Sequence, residues 1–217
     1  MATDLAHHFR DQGQQHAAAT LGMWIFLATE VMVFGALFTG YTAYRAKYPL
    51  EFAAASGELN LTLGAINTVV LLTSSLTMAL AVRGAQLGQR KVLVNALLLT
   101  AALGTAFLVI KAFEYREDFE KNLVPRLAYQ DADWTEAGLN PQHVQLFLMF
   151  YYIMTGLHAL HLVIGIGIIL ILAIAVARGR FSPRYYSPVE VGGLYWHFVD
   201  VVWIFLLPLL YLIGTRG

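Results

Sequence analysis

Residues 144–177 have the sequence VQLFLMFYYIMTGLHALHLVIGIGIILILAIAVA, the longest apolar stretch of the chain. It contains no Asp, Glu, Lys or Arg. An α-helix of roughly 20 apolar residues crosses a bilayer core. At 1.5 Å per residue this stretch would be roughly 51 Å long, so it predicts a membrane-spanning helix that tilts or projects beyond the bilayer. Asn140 and Pro141 precede the stretch and favour a capped helix start there.

Four other apolar stretches are also long enough to cross a bilayer as helices. Of the 217 residues, 58% are hydrophobic and 13% are charged, whereas a soluble domain carries about 25% charged residues. A backbone in lipid must satisfy its own hydrogen bonds, which favours helices. The chain is therefore predicted to be an all-α, polytopic membrane helix bundle. Residues 1–19 are predicted to be a cytoplasmic N-terminal segment and residues 20–217 a transmembrane domain of five helices, at about 20–44, 61–82, 92–115, 144–177 and 190–214.

The charges of the connecting segments orient this predicted bundle. The connections 83–91 and 178–189 each contain three basic residues and no acidic one. The connection 116–143, on the opposite side, is rich in acidic residues, among them Asp118. Because positive charge is retained in the cytoplasm, the N-terminus is predicted to be cytoplasmic and the C-terminus outside.

The composition also excludes several classes of function. The formal net charge is zero, so nothing favours nucleic acid as a partner. The chain has no cysteine, which excludes disulfides and metal sites built on thiolates.

Ionisable side chains within the spans are the candidate functional residues, because each costs about 2.5–3.5 kcal/mol to place in hydrocarbon. Glu30 and Asp200 each lie about ten residues, or roughly 15 Å, beyond the predicted inner boundary of their spans. His161 can reach a similar depth from the outer side. The full set is Glu30, His158, His161 and Asp200, with His197 and Glu190 nearer the inner end of the last span.

We expect these groups to form an interior seam in which a sheltered carboxyl group is hydrogen-bonded by imidazole or indole donors, and a buried acid such as Glu30 can stay neutral there. His158 and His161 are three residues apart, so they share a helical face. Two alternatives stay open. The histidines can serve only as hydrogen-bonding groups between helices, as can Asp200, or they can bind zinc or iron together with Glu30 and Asp200.

Lys111 and Glu114 are also three residues apart, near the outer end of the third predicted span. Their spacing predicts an ion pair whose lysine extends along the helix to the membrane surface, as lysine side chains commonly do.

Taken together, these stretches resemble cytochrome c oxidase subunit III, and the resemblance runs through all five predicted spans. The stretch with Glu30 resembles the family's helix that bears a buried, carbodiimide-reactive glutamate. The last two spans resemble its final helices and match its polar positions at His158, His161, Glu190, Trp196, His197 and Asp200. The segments are LGMWIFLATEVMVFGALFTGY (21–41), INTVVLLTSSLTMALA (66–81), LGTAFLVIKAFEY (103–115), FYYIMTGLHALHLVIG (150–165) and YWHFVDVVWIFLLPLLYLIG (195–214).

The resemblance implies a subunit of a bacterial haem–copper terminal oxidase, which pumps protons in aerobic respiration. This chain would hold no haem or copper, which belong to partner subunits, and it would have no catalytic residue of its own. It would pack against the catalytic subunit I, beside subunit II, in the bacterial plasma (inner) membrane. It would also bind phospholipid and support proton uptake, with lipid-binding or structural roles for Glu190, Trp196, Arg178 and Arg180.

The residues agree with an accessory role. The spans contain three histidines, His158, His161 and His197, too few to ligate two haems and a copper. The absence of cysteine also excludes a dicopper subunit. Departures from the family pattern are the lack of the first two of the mitochondrial form's seven spans, and Lys111 where the family often has glutamine.

Three alternatives stay open. The chain could be the equivalent subunit of a quinol oxidase or of a nitric oxide reductase. It could also be a stand-alone proton-coupled transporter, although the sequence shows no inverted repeat.

Overall fold

Seven helices and one short strand pairing make up the described part of the chain. The computed structural model describes residues 10–125, 128–129, 131–179 and 186–214. The strands pair antiparallel through two residues each. In chain order the elements are α1 (Gln12–Lys47), α2 (Pro49–Gly57), α3 (Leu61–Gln86), α4 (Arg90–Glu120), β1 (Leu123–Val124), β2 (Ala128–Tyr129), α5 (Asp131–Glu136), α6 (Pro141–Ala177) and α7 (Ser187–Tyr211).

Five of these helices are long and apolar enough to cross a membrane: α1, α3, α4, α6 and α7. The predicted all-α, five-span architecture is therefore confirmed. The helix ends differ from the predicted bounds. Helix α1 begins at Gln12, inside the predicted N-terminal segment, and α4 continues to Glu120, so both extend beyond their apolar stretches. Hydropathy marks where the apolar residues end, whereas helical hydrogen bonds continue into the polar residues beyond.

The start of α6 follows the predicted capping pattern. Pro141 is its first residue. The side-chain oxygen of Asn140 accepts a hydrogen bond of 3.0 Å from the backbone amide of Gln142. This satisfies one of the amides that a helix leaves unpaired at its N-terminus.

Large apolar side chains face outward on all the long helices. Met32 on α1 is 74% exposed and Ile171 on α6 is 68% exposed, and Leu76 and Phe113 are also exposed. Within their most apolar windows, 11% of α1 but 50% of α7 is buried inside the protein. Contiguous apolar surface of this kind is typical of contact with lipid or with a partner subunit.

The first compact unit comprises Met1–Met32, Leu71–Thr105 and His161–Asp200. It contains the N-terminal parts of α1, α4 and α7 and the C-terminal parts of α3 and α6. Met78, Leu97 and Leu162 are fully buried there. The hydroxyls of Thr77 on α3 and Thr100 on α4 are hydrogen-bonded at 2.7 Å, which links two helices within an apolar core.

The second compact unit comprises Val33–Val70, Ala106–Leu160 and Val201–Gly217. Its core is rich in aromatic rings, with Tyr41 and Phe147 fully buried and their ring centroids 6.1 Å apart. The hydroxyls of Tyr41 and Ser56 donate hydrogen bonds of 2.7 and 2.6 Å to carbonyls near the end of α7. These bonds fix the last turns of α7, where carbonyls have no helical partner.

Candidate functional site

Glu30 on α1 and His161 on α6 form a hydrogen-bonded pair in the first unit. Glu30 Oε2 lies 3.0 Å from His161 Nε2. The side chain of Glu30 is 18% exposed and that of His161 is 11% exposed. Glu30 and His161 were predicted to reach a similar depth in the membrane, and the structure places this carboxyl group against this imidazole. Both side chains remain partly exposed. The role of the pair in proton handling stays a prediction.

This geometry suits the exchange of one proton. A carboxylic acid can donate to a neutral Nε2, or an Nε2–H can donate to a carboxylate, and moving one proton interconverts the two forms. The hydroxyl of Tyr195 on α7 donates a 3.0 Å hydrogen bond to the main-chain carbonyl of His161. The ring of Tyr195 lies 6.1 Å from that of Phe26 on α1. Tyr195 thereby helps to hold α1, α6 and α7 around the pair.

His158 has a different environment from His161. It belongs to the second unit, is 1% exposed, and its ring lies 5.5 Å from that of Phe107 and 5.3 Å from that of Trp203. The three-residue spacing predicted one seam for both histidines, but the contacts place His158 among aromatic rings. The reason is that residues three apart on one helix still differ in rotation by about 60°, enough to meet different neighbours.

His197 on α7 is associated with Ser75 of α3. The hydroxyl of Ser75 lies 2.8 Å from His197 Nδ1, which links α3 to α7. Asp200, three residues further along α7, is 3% exposed. Its structural alternative stays a prediction.

Trp196 is a packing residue of the first unit. Its indole is fully buried, and its Nε1 donates a 3.0 Å hydrogen bond to the hydroxyl of Ser74 on α3. The ring contacts two glycines, Gly104 on α4 and Gly165 on α6, at distances that leave no room for a Cβ atom without displacement. Of the two predicted roles, lipid-binding or structural, these contacts support the structural one.

The remaining candidate residues are Glu190, Arg178 and Arg180. Glu190 Oε2 lies 3.6 Å from His16 Nε2, and His16 Nδ1 lies 3.0 Å from the hydroxyl of Ser187, so this group ties α1 to the start of α7. Arg178 is exposed in the turn after α6. Arg180 lies outside the described residues.

The prediction for Lys111 and Glu114 is wrong in one respect. They form an ion pair of 3.1 Å, but Lys111 is 2% exposed and Glu114 fully buried, so the lysine does not extend to the surface. Its ammonium is held inside by hydrogen bonds to Tyr151 and Tyr211. Asp118, predicted in an acidic outer loop, lies on α4 and is 2% exposed.

The sequence left open a metal site built from Glu30, the histidines and Asp200. Among the described residues, no group of three or more His, Asp and Glu side chains is placed to hold a metal ion.

Sequence reasoning missed several partners of the candidate residues. Ser74 and Ser75, in the stretch LLTSSLT, are the partners of Trp196 and His197, and two adjacent serines within an apolar span were a usable signal. The tyrosines around Lys111 carried no such signal, because tyrosine is common at span ends as an interface anchor.

The fold and these contacts define a class: a five-span helical membrane protein with a carboxyl–imidazole pair inside its spans. The family model of cytochrome c oxidase subunit III matches residues 6–215. The chain belongs to this family, and it is a subunit III of the haem–copper oxidases. It is therefore part of an oxidoreductase complex and a multi-pass membrane protein.

Three relatives illustrate the similarity. The chain is 33% identical to cytochrome c oxidase subunit 3 of Synechocystis sp., over 88% of this chain and 74% of the relative. It is 32% identical to a probable quinol oxidase subunit 3 of Staphylococcus haemolyticus, over 89% of this chain and 88% of the relative. It is 30% identical to a haem-copper oxidase subunit I+III of Aeropyrum pernix, over 88% of this chain and 22% of that longer protein.

Proposed function

We propose that this chain is a non-catalytic subunit whose Glu30–His161 pair exchanges protons in support of proton uptake by the catalytic subunit. The observation that carries the proposal is the 3.0 Å contact between a carboxyl and an imidazole inside the spans. Both side chains are partly exposed at the surface of this chain, so a neighbouring subunit or ordered water has access to them. An acid and a base at hydrogen-bond distance can transfer a proton directly from one to the other.

The non-catalytic role is supported by what the span histidines contact within the chain. His161 meets Glu30, His197 meets Ser75, and His158 packs against aromatic rings. The haem and copper of the complex would then be held by subunits I and II, with subunit I as the main neighbour. The name of the Aeropyrum pernix relative joins subunits I and III in one protein, which supports that neighbour.

The proposed location is the bacterial plasma membrane, with residues 1–19 and the N-terminus in the cytoplasm and the C-terminus outside. The basic connections support this orientation. The basic start of α4 and the end of α6 also border a cavity of about 440 Å³, lined by Arg90, Lys91, Val94, Asn95 and Ala177. Arginine and lysine beside apolar side chains at a membrane surface suit the headgroup of an anionic phospholipid, which is the lipid we expect this subunit to bind.

The electron donor of the complex is cytochrome c or a quinol. The named relatives include subunits of both oxidase types, and the contacts in this chain favour neither. Optical spectra and subunit identification of the purified complex decide between them, because a dicopper subunit with its cysteine pair accompanies the use of cytochrome c.

The proton-exchange proposal is tested by Glu30→Gln in the purified oxidase. The amide keeps the shape of the carboxyl and a hydrogen bond to His161, so assembly and haem spectra should stay close to wild type. The rate of proton uptake should fall and its pH profile should change, because an amide cannot carry the proton. His161→Gln should have the same effect.

Thr29→Val is the matched control, since it alters the neighbouring position of α1 without removing an ionisable group. A wild-type pH profile of proton uptake in Glu30→Gln would refute the exchange role. Loss of the whole complex in Glu30→Gln would instead indicate an essential buried ion pair, whose disruption costs about 3–5 kcal/mol.

The accessory role has its own test. Oxidase depleted of this subunit should keep its haem spectrum while losing activity faster during turnover. An unchanged rate of inactivation would argue against a supporting role in proton uptake.

A further inference from the structure

A cluster of five buried side chains in the second unit is independent of the Glu30–His161 pair. It consists of Lys111, Glu114 and Asp118 on α4, Tyr151 on α6 and Tyr211 on α7, each at most 2% exposed. The cluster contains one ammonium group and two carboxyl groups. If both carboxyl groups were ionised it would carry a net negative charge, which is costly to bury in a membrane span.

The Lys111 ammonium has three close oxygen neighbours. Nζ forms an ion pair of 3.1 Å with Glu114 Oε2, and it donates hydrogen bonds of 3.0 Å to the hydroxyl of Tyr151 and 2.5 Å to that of Tyr211. Lys111 therefore neutralises Glu114, while its remaining hydrogens go to tyrosines rather than to Asp118.

The hydroxyl hydrogens are too few for the remaining contacts. Tyr211 donates to Glu114 Oε1 at 2.5 Å. The hydroxyl of Tyr151 lies 3.1 Å from Glu114 Oε1 and 3.1 Å from Asp118 Oδ2, but it has one hydrogen to give. If it donates to Glu114, an unprotonated Asp118 would hold a lone pair against the Tyr151 oxygen, which is repulsive.

We infer that this cluster is a binding site for one proton, carried on the carboxyl group of Asp118. The acid donates to Tyr151, Tyr151 donates to Glu114, and Glu114 stays ionised beside Lys111. Every hydrogen bond then has one hydrogen, and the charges cancel. The other titratable groups acting on Asp118 are Tyr115 on α4, Lys121 in the turn after α4, and Tyr152 on α6. None of them supplies the hydrogen missing between Tyr151 and Asp118.

Charge balance gives each substitution its own expected result. Asp118→Asn removes the protonated acid. Glu114→Gln also removes the bound proton, because Lys111 and an ionised Asp118 then neutralise each other. Lys111→Gln leaves two carboxyl groups with no cation, so a second proton is taken up. A purely structural cluster would not give changes of opposite sign.

Infrared spectroscopy of the purified oxidase counts protonated carboxyl groups through their C=O band, which shifts in deuterium oxide. We expect a loss of one such group per chain near neutral pH in Asp118→Asn and in Glu114→Gln, and a gain of one in Lys111→Gln. Glu120→Gln is the matched control on the same helix. Glu120 is exposed and paired with Arg116, so its replacement should leave the band unchanged.

An unchanged band in Asp118→Asn, or the absence of a gain in Lys111→Gln, would overturn the inference. A bound cation is the other way to balance the charge. It would be indicated, and the inference overturned, if the thermal stability of the wild-type complex depended on sodium or potassium and Asp118→Asn lost no acid band. Should Asp118→Asn fail to assemble, Glu114→Gln and Lys111→Gln carry the test.

Discussion

Replacement of Gly104 by alanine should destabilise the first unit, because Gly104 lies against the indole of Trp196. A Cβ atom at Gly104 would be 2.6 Å from Trp196 Cη2, 3.1 Å from Cζ2 and 3.3 Å from Ile166 Cγ1. To reach ordinary contact at 3.4 Å, the indole or α4 would have to move by about 0.8 Å.

The indole has little freedom to move. Its other edge lies against Gly165 of α6, where a Cβ atom would be 3.1 Å from Cε3 and Cζ3, and its Nε1 is hydrogen-bonded to Ser74. Overpacking of this kind costs about 1–3 kcal/mol. Alanine regains up to about 1 kcal/mol through its higher helix propensity. With the full gain, the expected net loss in the free energy of unfolding is therefore about 0–2 kcal/mol, centred on about 1 kcal/mol.

The assay is SDS-induced unfolding of the purified complex in mild detergent, compared between variants. Gly167→Ala is the matched control, since a Cβ atom there would meet nothing within 4 Å, and alanine should be neutral or stabilising by up to about 1 kcal/mol. Trp196→Phe removes the ring atoms nearest to Gly104. In that background Gly104→Ala should lose its cost, which a double-mutant cycle measures.

Equal unfolding midpoints for Gly104→Ala and Gly167→Ala would refute the argument. The same conclusion would follow if the cost of Gly104→Ala persisted unchanged with phenylalanine at position 196.

Two further predictions concern the second unit. Ser56→Ala should lower the free energy of unfolding by about 1–3 kcal/mol. The buried hydroxyl of Ser56 donates a hydrogen bond of 2.6 Å to the carbonyl of Leu210 and accepts one of 3.2 Å from the amide of Gly214. An unchanged midpoint of SDS-induced unfolding would contradict this prediction. Glu51, outside the spans, is hydrogen-bonded to His143, and this bond lowers the pKa of the Glu51 carboxyl. Because the pKa is lower in the folded state, the stabilisation is present at neutral pH and lost as the pH falls through the lowered pKa. Glu51→Gln should therefore have a lower free energy of unfolding than wild type at neutral pH, and this difference should vanish in acid. A difference that does not change with pH would show that the ionised form of Glu51 is not its source.

Three properties follow from the amino-acid sequence alone: lipid as the main surroundings of the chain, the number of spans, and the family. Apolar stretches long enough to cross a bilayer permit little other than helices, because backbone groups in lipid must pair within their own segment. The capped start of α6 at Asn140 and Pro141 was also local, since capping depends on adjacent residues. Depth within a span identified Glu30 and His161 as groups that would need partners.

The identity of these partners depends on the tertiary structure. Helical spacing fixes the face on which a residue lies but not the neighbouring helix that meets that face. Thus His161 meets Glu30 while His158 packs among aromatic rings. Lys111 was expected at the surface, yet tyrosines of two other helices enclose its ammonium. Burial of a side chain depends on what surrounds its helix, and hydropathy along one segment carries no information about those neighbours.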